Sequence, residues 1–257
     1  MRRSLAPLML ACLTGPALAR GGGPPGDANT PLPRVTLNAA PLGLRTRVEE
    51  LPAVPREVAP EFFPPAHVRV TFPGETDSRA QLNVYPVSGL LRQYPETGPF
   101  FVRARLTQLR DLLRTRPALA PIRELPYLPL VNAAQVLHAA GAYVSFPSGS
   151  GIRYLTIYRQ DFSPYLRDEV LYTFQGLTQG GRYYVSFTFP VAPPFLPARL
   201  EDVPASERHL GEGRLPQAEE QRRVQAYIGR VTRQLDTLTS STEVRRLDAV
   251  VHSLRLP

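Results

Sequence analysis

The sequence contains no lysine and one cysteine, Cys12. All 30 basic side chains apart from histidine are therefore arginine. Cys12 lies in a leader-like segment, and cleavage beyond it would leave a chain without disulfides, a thiol nucleophile or a cysteine metal ligand. Long apolar runs are also missing, since none past the leader reaches the roughly 18 residues that a membrane-spanning helix needs. The four histidines, His67, His138, His209 and His252, include no pair at metal-ligand spacing. No metal site and no cofactor are expected. Runs of like charge are short, with acids interleaved in "RTRVEE", "RLTQLRD" and "EEQRR". The arginines thus read as the scattered surface charge of a GC-rich coding sequence, and specific nucleic-acid binding is not expected.

What is present begins with an export signal. Arg2 and Arg3 precede a short apolar run from Leu5 to Leu13, and Ala17-Leu18-Ala19 supplies small residues for a signal peptidase. Residues 1–19 are read as a signal peptide, which places the mature chain outside the cytoplasm, secreted or periplasmic. "LMLAC" offers a second possibility, lipidation at Cys12, and membrane contact is expected only in that case. Ala11 fits the small position before the cysteine, whereas Met9 and Leu10 fit less well. Loss of Arg2 and Arg3 takes the 30 arginines to 28, against 22 acids, a net charge of about +6.

Residues 20–65 are rich in glycine and proline and read as a tether followed by an extended surface segment, with "RVTLN" a possible short strand. Residues 66–257 read as a single domain. Alternation in "HVRVTF" and "RAQLNVYPV" predicts a hairpin. Val102, Leu106, Leu109 and Leu113 form one apolar helix face behind Gly98-Pro99. Asn132 and Gln135 have capping-box spacing, which predicts a short alanine-rich helix holding His138. "AYVSF", "IRYLTIYRQ", "EVLYTFQGLT" and "GRYYVSFTF" have strand composition. Val224, Ile228, Val231, Leu235 and Leu238 predict a long amphipathic helix. Val244, Leu247, Val251 and Leu254 predict another, opened by Ser240 and Glu243. The expected fold is α+β: a mainly antiparallel sheet with amphipathic helices packed on one face and a C-terminal helical pair. A monomer is favoured, because the helical seam lasts only about two heptads.

Catalytic motifs are not found. "SGSG" at 148–151 lacks the lysine of a phosphate loop and the glycine spacing of a serine elbow, and reads as a turn. Asp168 and Glu169 are adjacent and on a strand would face opposite ways. The hairpin around Gly180-Gly181 is more informative. A tight turn there puts Val170, Tyr172, Phe174, Val185, Phe187 and Phe189 on a core face. Thr173, Gln175, Arg182, Tyr184, Ser186 and Thr188 share the other face, with Leu171 and Leu177. That polar face is the candidate ligand-binding surface, for a glycan or peptide. It could equally be solvated or covered by the C-terminal helices.

The run from "NAAQVLHAAGAYVSF" through "GSGIRYLTIYRQ" to "YTFQGLTQGGRYYVSFTFPV" resembles a group of uncharacterised bacterial secreted proteins and lipoproteins. Its marks are an Asn-Ala-x-Gln start, a Gly-Ser-Gly turn and the Phe-Gln-Gly-Leu-Thr hairpin, over roughly residues 131–191. The resemblance implies secretion and an intact domain, and carries no activity with it. The expectation is a non-catalytic cell-envelope module, for binding or structure, with an unidentified envelope component or protein as partner. The alternatives are an extracytoplasmic hydrolase without a recognisable motif and a binder of anionic polymers.

Overall fold

β-branched and aromatic residues dominate the strands, and their alternation decides which side chains meet. The structure, a computed structural model, describes residues 30–58, 63–94, 101–128 and 131–256. The leader with Cys12, the first part of the tether and Gly98-Pro99 lie outside the described residues. Seven strands are formed: β1 (Arg47–Leu51), β2 (His67–Thr71), β3 (Gln81–Pro86), β4 (Ala134–Phe146), β5 (Gly149–Arg159), β6 (Leu171–Thr178) and β7 (Tyr183–Pro190). They make one antiparallel sheet in the order β1-β2-β3-β7-β6-β5-β4. The helices are α1 (Val87–Gln93), α2 (Val102–Thr115), α3 (Gln217–Asp236) and α4 (Thr242–Ser253). The α+β class, the antiparallel sheet and the C-terminal helical pair are as the patterning predicts.

The distribution of the helices differs from the expectation of a single covered face. Tyr227, Val231 and Leu235 of α3 and Val244, Leu247 and Val251 of α4 pack in one core with Tyr172, Phe174 and Phe187. Val102, Leu106, Leu109 and Leu112 of α2 pack in a second core with Ile152, Tyr154 and Tyr184. Those two strand sets point to opposite sides of the sheet, so it is covered on both. The reason lies in composition. Ile152, Tyr154, Leu177 and Tyr184 add too much apolar surface to the second face for it to stay in water.

Three local expectations change as well. Asn132 and Gln135 do not open a helix, because residues 134–146 are strand β4. Register shifts between Gln135 and Leu137 and between Ala139 and Ala142 break its alternation, which hid the strand from a period-two search. Ala140 sits at φ 51° within the second shift. The last helix is capped by Ser241, whose Oγ accepts from the Val244 amide at 3.2 Å, one residue beyond Ser240. The fold also begins before residue 66. Val35 is buried, Thr36 and Arg255 exchange backbone hydrogen bonds, and β1 pairs with β2 along its whole length. Residues 47–51 contain no proline, so their backbone is free to pair. Their charged, exposed side chains make β1 a blunted sheet edge.

Candidate binding site

The 171–190 hairpin has the predicted register. Thr173 pairs with Thr188 and Gln175 with Ser186, while Tyr172 and Phe174 pair with Phe189 and Phe187 on the reverse face. The polar residues do share a face, but most of it is not open. Thr173, Gln175, Tyr184, Ser186 and Thr188 are all buried, and only Arg182, out at the turn, is exposed. What covers Gln175 and Tyr184 is the chain's own 117–128 segment together with α2, not the C-terminal helices.

The cover is held by polar hooks. Gln175 Oε1 accepts from the Leu128 amide at 3.3 Å and from the Tyr184 hydroxyl. Its Nε2 donates to Thr173 Oγ1 at 2.6 Å and to Ser186 Oγ at 3.1 Å. Each polar atom of this buried amide therefore has partners, as burial in an apolar layer demands. Tyr154 OH donates to Pro126 O at 2.9 Å, and the Leu125 amide donates to Gln135 Oε1 at 2.8 Å. His138 Nε2 lies 2.6 Å from Ile122 O. From below, Arg105 pairs with Glu124, and Gln108 Nε2 donates to Glu124 O at 2.8 Å. The polar face binds a peptide, and the peptide is this chain's own strap.

Beside Tyr127 a cleft of about 390 Å³ opens over β2, β3, β7 and the start of β6, with Val131 also in its wall. Of the six polar hairpin residues, Ser186 and Thr188 reach it, with Leu171 beside them. Its floor continues through Gln81, Asn83 and Arg69. Arg69 pairs across the ladder with Asn83, and Asn83 with Ser186, so these three form one row across the sheet. Tyr127 and Tyr158 stand at one side with ring centres 4.9 Å apart, and Tyr85 closes the back. Burial pushes the Tyr127 hydroxyl up to about 12, and Tyr158 and Tyr85 are raised too, so all three are neutral at physiological pH.

The charges in the cleft are unequal. Arg79 is bound by Asp77, with Nη2 to Oδ2 at 2.5 Å, and it also donates to Asp168 O at 2.6 Å. That contact holds the Asp77 carboxyl below its usual range. Glu169 is paired with Arg159 and accepts from the Leu166 amide at 2.7 Å. Arg69 stands apart. Among the described residues its guanidinium makes one hydrogen bond, from Nε to Asn83 Oδ1 at 3.2 Å, and no ion pair. Its Nη groups are uncommitted donors beside the cleft.

The other notable residues have structural employment. Ser148 of the "SGSG" turn donates from Oγ to Leu256 O at 2.6 Å and accepts from the Leu256 amide. Gly151 and Gly176 lie beneath the Phe174 ring, and a Cβ at either would come within 2.5 Å and 2.7 Å of it. Those glycines are therefore a packing requirement, as is Gly149 beneath Phe146. Arg153, in the same run, is buried on the α3–α4 side. Its Nη groups donate to Ala140 O and to Thr239 O, and its Nε lies 3.4 Å from Asp248 Oδ1. Tyr172 OH donates to the same carboxylate oxygen at 2.9 Å. The Arg153–Asp248 pair escaped sequence reasoning because the partners lie on a strand and a helix 95 residues apart. His67 is buried and stacks on Tyr85 with ring centres 4.7 Å apart. Its Nδ1 lies 2.8 Å from Pro65 O, while Nε2 has no hydrogen-bond partner. Burial lowers its pKa.

A larger hollow of about 700 Å³ runs along α2. Its rim includes Tyr94 and Phe101, which flank residues 95–100, so its walls are only partly described. No group of histidine, cysteine or carboxylate side chains able to hold a metal occurs among the described residues, and no described helix is long and apolar enough to cross a membrane. Comparison with protein-family models, curated proteins and solved structures found no match.

Proposed function

We propose that this chain is an exported, non-catalytic binding module of the cell envelope, and that its ligand occupies the cleft beside Tyr127. The observation that carries this reading is the uneven fate of the hairpin's polar face. Where the strap lies, every polar group of Gln175 is used within the protein. Beside Tyr127, neutral tyrosines, amides, hydroxyls and an ion-pair-free arginine converge on one concavity. A mostly preformed hollow with a few convergent polar groups is the usual form of a small-molecule site. Its two aliphatic hydroxyls are engaged as hydrogen-bonding groups, Ser186 with Gln175 and Thr188 with Arg79 O, and no described histidine lines it. This favours binding over a nucleophile-and-base chemistry. The export half of the proposal rests on the leader sequence and the tether that follows it.

Two measurements test it. Amide chemical shifts recorded against a library of soluble envelope fragments should move at Ser186, Thr188, Asn83 and Tyr127; shifts confined to other surfaces, or none at all, would refute the cleft. Mass spectrometry of the mature N-terminus should find a start near Arg20. A diacylglyceryl Cys12 would replace free secretion with a lipid anchor.

A further inference from the structure

We infer that the cleft selects an acidic sugar, a carbohydrate ring bearing a carboxylate, with Arg69 as the residue that reads the charge. This rests on the binding reading above and adds the ligand class.

The charge comes first. The cleft holds two guanidinium groups and one carboxylate, but Arg79 is neutralised by Asp77 and Glu169 by Arg159. The remaining formal charge is that of Arg69: its cross-strand neighbour Glu49 is paired with Arg47, and no carboxylate of the described residues lies within ion-pair distance of the Arg69 guanidinium. Asn83 Oδ1 holds Arg69 Nε, which fixes the plane of the guanidinium and leaves its outer fork for a planar, two-oxygen acceptor. A carboxylate matches that fork.

The rest of the ligand follows from the lining. Beyond Arg69 the floor offers Gln81, the Asn83 amide nitrogen and the Ser186 hydroxyl proton, none of them bonded to another described residue through those atoms. Tyr127 and Tyr158 supply flat faces at the side. Amide and hydroxyl groups next to aromatic faces suit a ring with hydroxyls around its edge and C–H bonds on its faces. A strand-like peptide is a poorer fit. β2, β3 and β7 are interior strands paired on both sides, so they present no free backbone edge for an added strand. About 390 Å³ also lies near the lower end of ligand-site sizes, room for one or two sugar units.

The test titrates 15N-labelled protein with methyl β-D-glucuronide and, in parallel, with the neutral methyl β-D-glucoside. The glucuronide should bind at least tenfold more tightly, with shifts at Arg69, Asn83, Ser186 and Tyr127. Arg69→Gln should abolish that preference, bringing the glucuronide down to the level of the glucoside. Asn83→Asp keeps the arginine but gives it an internal carboxylate partner, and should likewise reduce the preference for the glucuronide over the glucoside. A thermal melt of each variant within a few degrees of the parent shows that the fold is retained. Equal binding of both sugars at the cleft, indifferent to Arg69→Gln, would overturn the charge reading while leaving the cleft as a binding site. Absence of both sugars from the cleft would overturn the acidic-sugar inference, and the fragment library then decides whether the cleft binds anything else.

Discussion

The two faces of the central sheet are built from alternate residues of the same strands, yet they are sealed in different ways. On the α3–α4 side, aromatic rings press onto glycines and one buried ion pair ties strand to helix. Phe174 covers Gly151 and Gly176, and Arg153 reaches Asp248. On the α2 side the strands carry amides and hydroxyls that hook a strap by its backbone, and a cleft lies over β2 and β3. An apolar face gains by complete closure, because every exposed patch costs hydrophobic free energy. A polar face can be left partly open, because water or a ligand can satisfy what the strap does not. The cleft is therefore found on the polar side.

Breaking the comparison begins where the effect is largest. Asp248→Ala strands the Arg153 guanidinium in a nearly dry site and should lower stability by about 3–5 kcal/mol, read from urea unfolding. A loss below about 1 kcal/mol would show that the pair does not hold that face together. On the other side, Gln175→Leu removes the hook and leaves the Leu128 amide and Tyr184 hydroxyl without their shared acceptor. The expected loss is about 1–3 kcal/mol, with faster hydrogen exchange at Leu128 and little change in α4. Uniform acceleration across both faces would show that they do not open separately.

The smallest expected effect is a pH dependence. Burial depresses the His67 pKa, with Arg69 adding a smaller push in the same direction and the Pro65 carbonyl opposing it. A neutral His67 therefore contributes stability that is fully present above the unfolded value of about 6.5 and is lost as pH falls below it toward the folded value. Glu243, raised by burial, titrates in the opposite sense above its ordinary range. Comparison of the parent with His67→Gln cancels that term, and the difference in stability between pH 7.5 and 5.5 should shrink in the variant. An unchanged slope would remove His67 from the account.

Much of the fold was legible because periodicity is local. The hairpin register, the α2, α3 and α4 stripes and the β2–β3 pair all follow from spacing within some twenty residues. β4 was not legible, because two register shifts scramble its alternation and the Asn132–Gln135 spacing imitates a helix cap. In the structure Gln135 serves the Leu125 amide instead. The place of residues 30–58 was hidden for another reason. Their partners, Arg255 for Thr36 and β2 for β1, are specified by the other elements. Of the six hairpin residues picked as a binding face, Ser186 and Thr188 do line the cleft. Thr173, Gln175 and Tyr184 are spent on internal bonds, and Arg182 lies out at the turn. Arg69, Asn83 and Tyr127 carried no motif to single them out.

The sequence by itself determined which residues alternate, which helices are amphipathic and which hairpin side is polar, since each is settled by neighbours along the chain. Tertiary structure alone decided what that polar side is for. Whether an amide meets water, a ligand or the chain's own backbone depends on a strap from some fifty residues away.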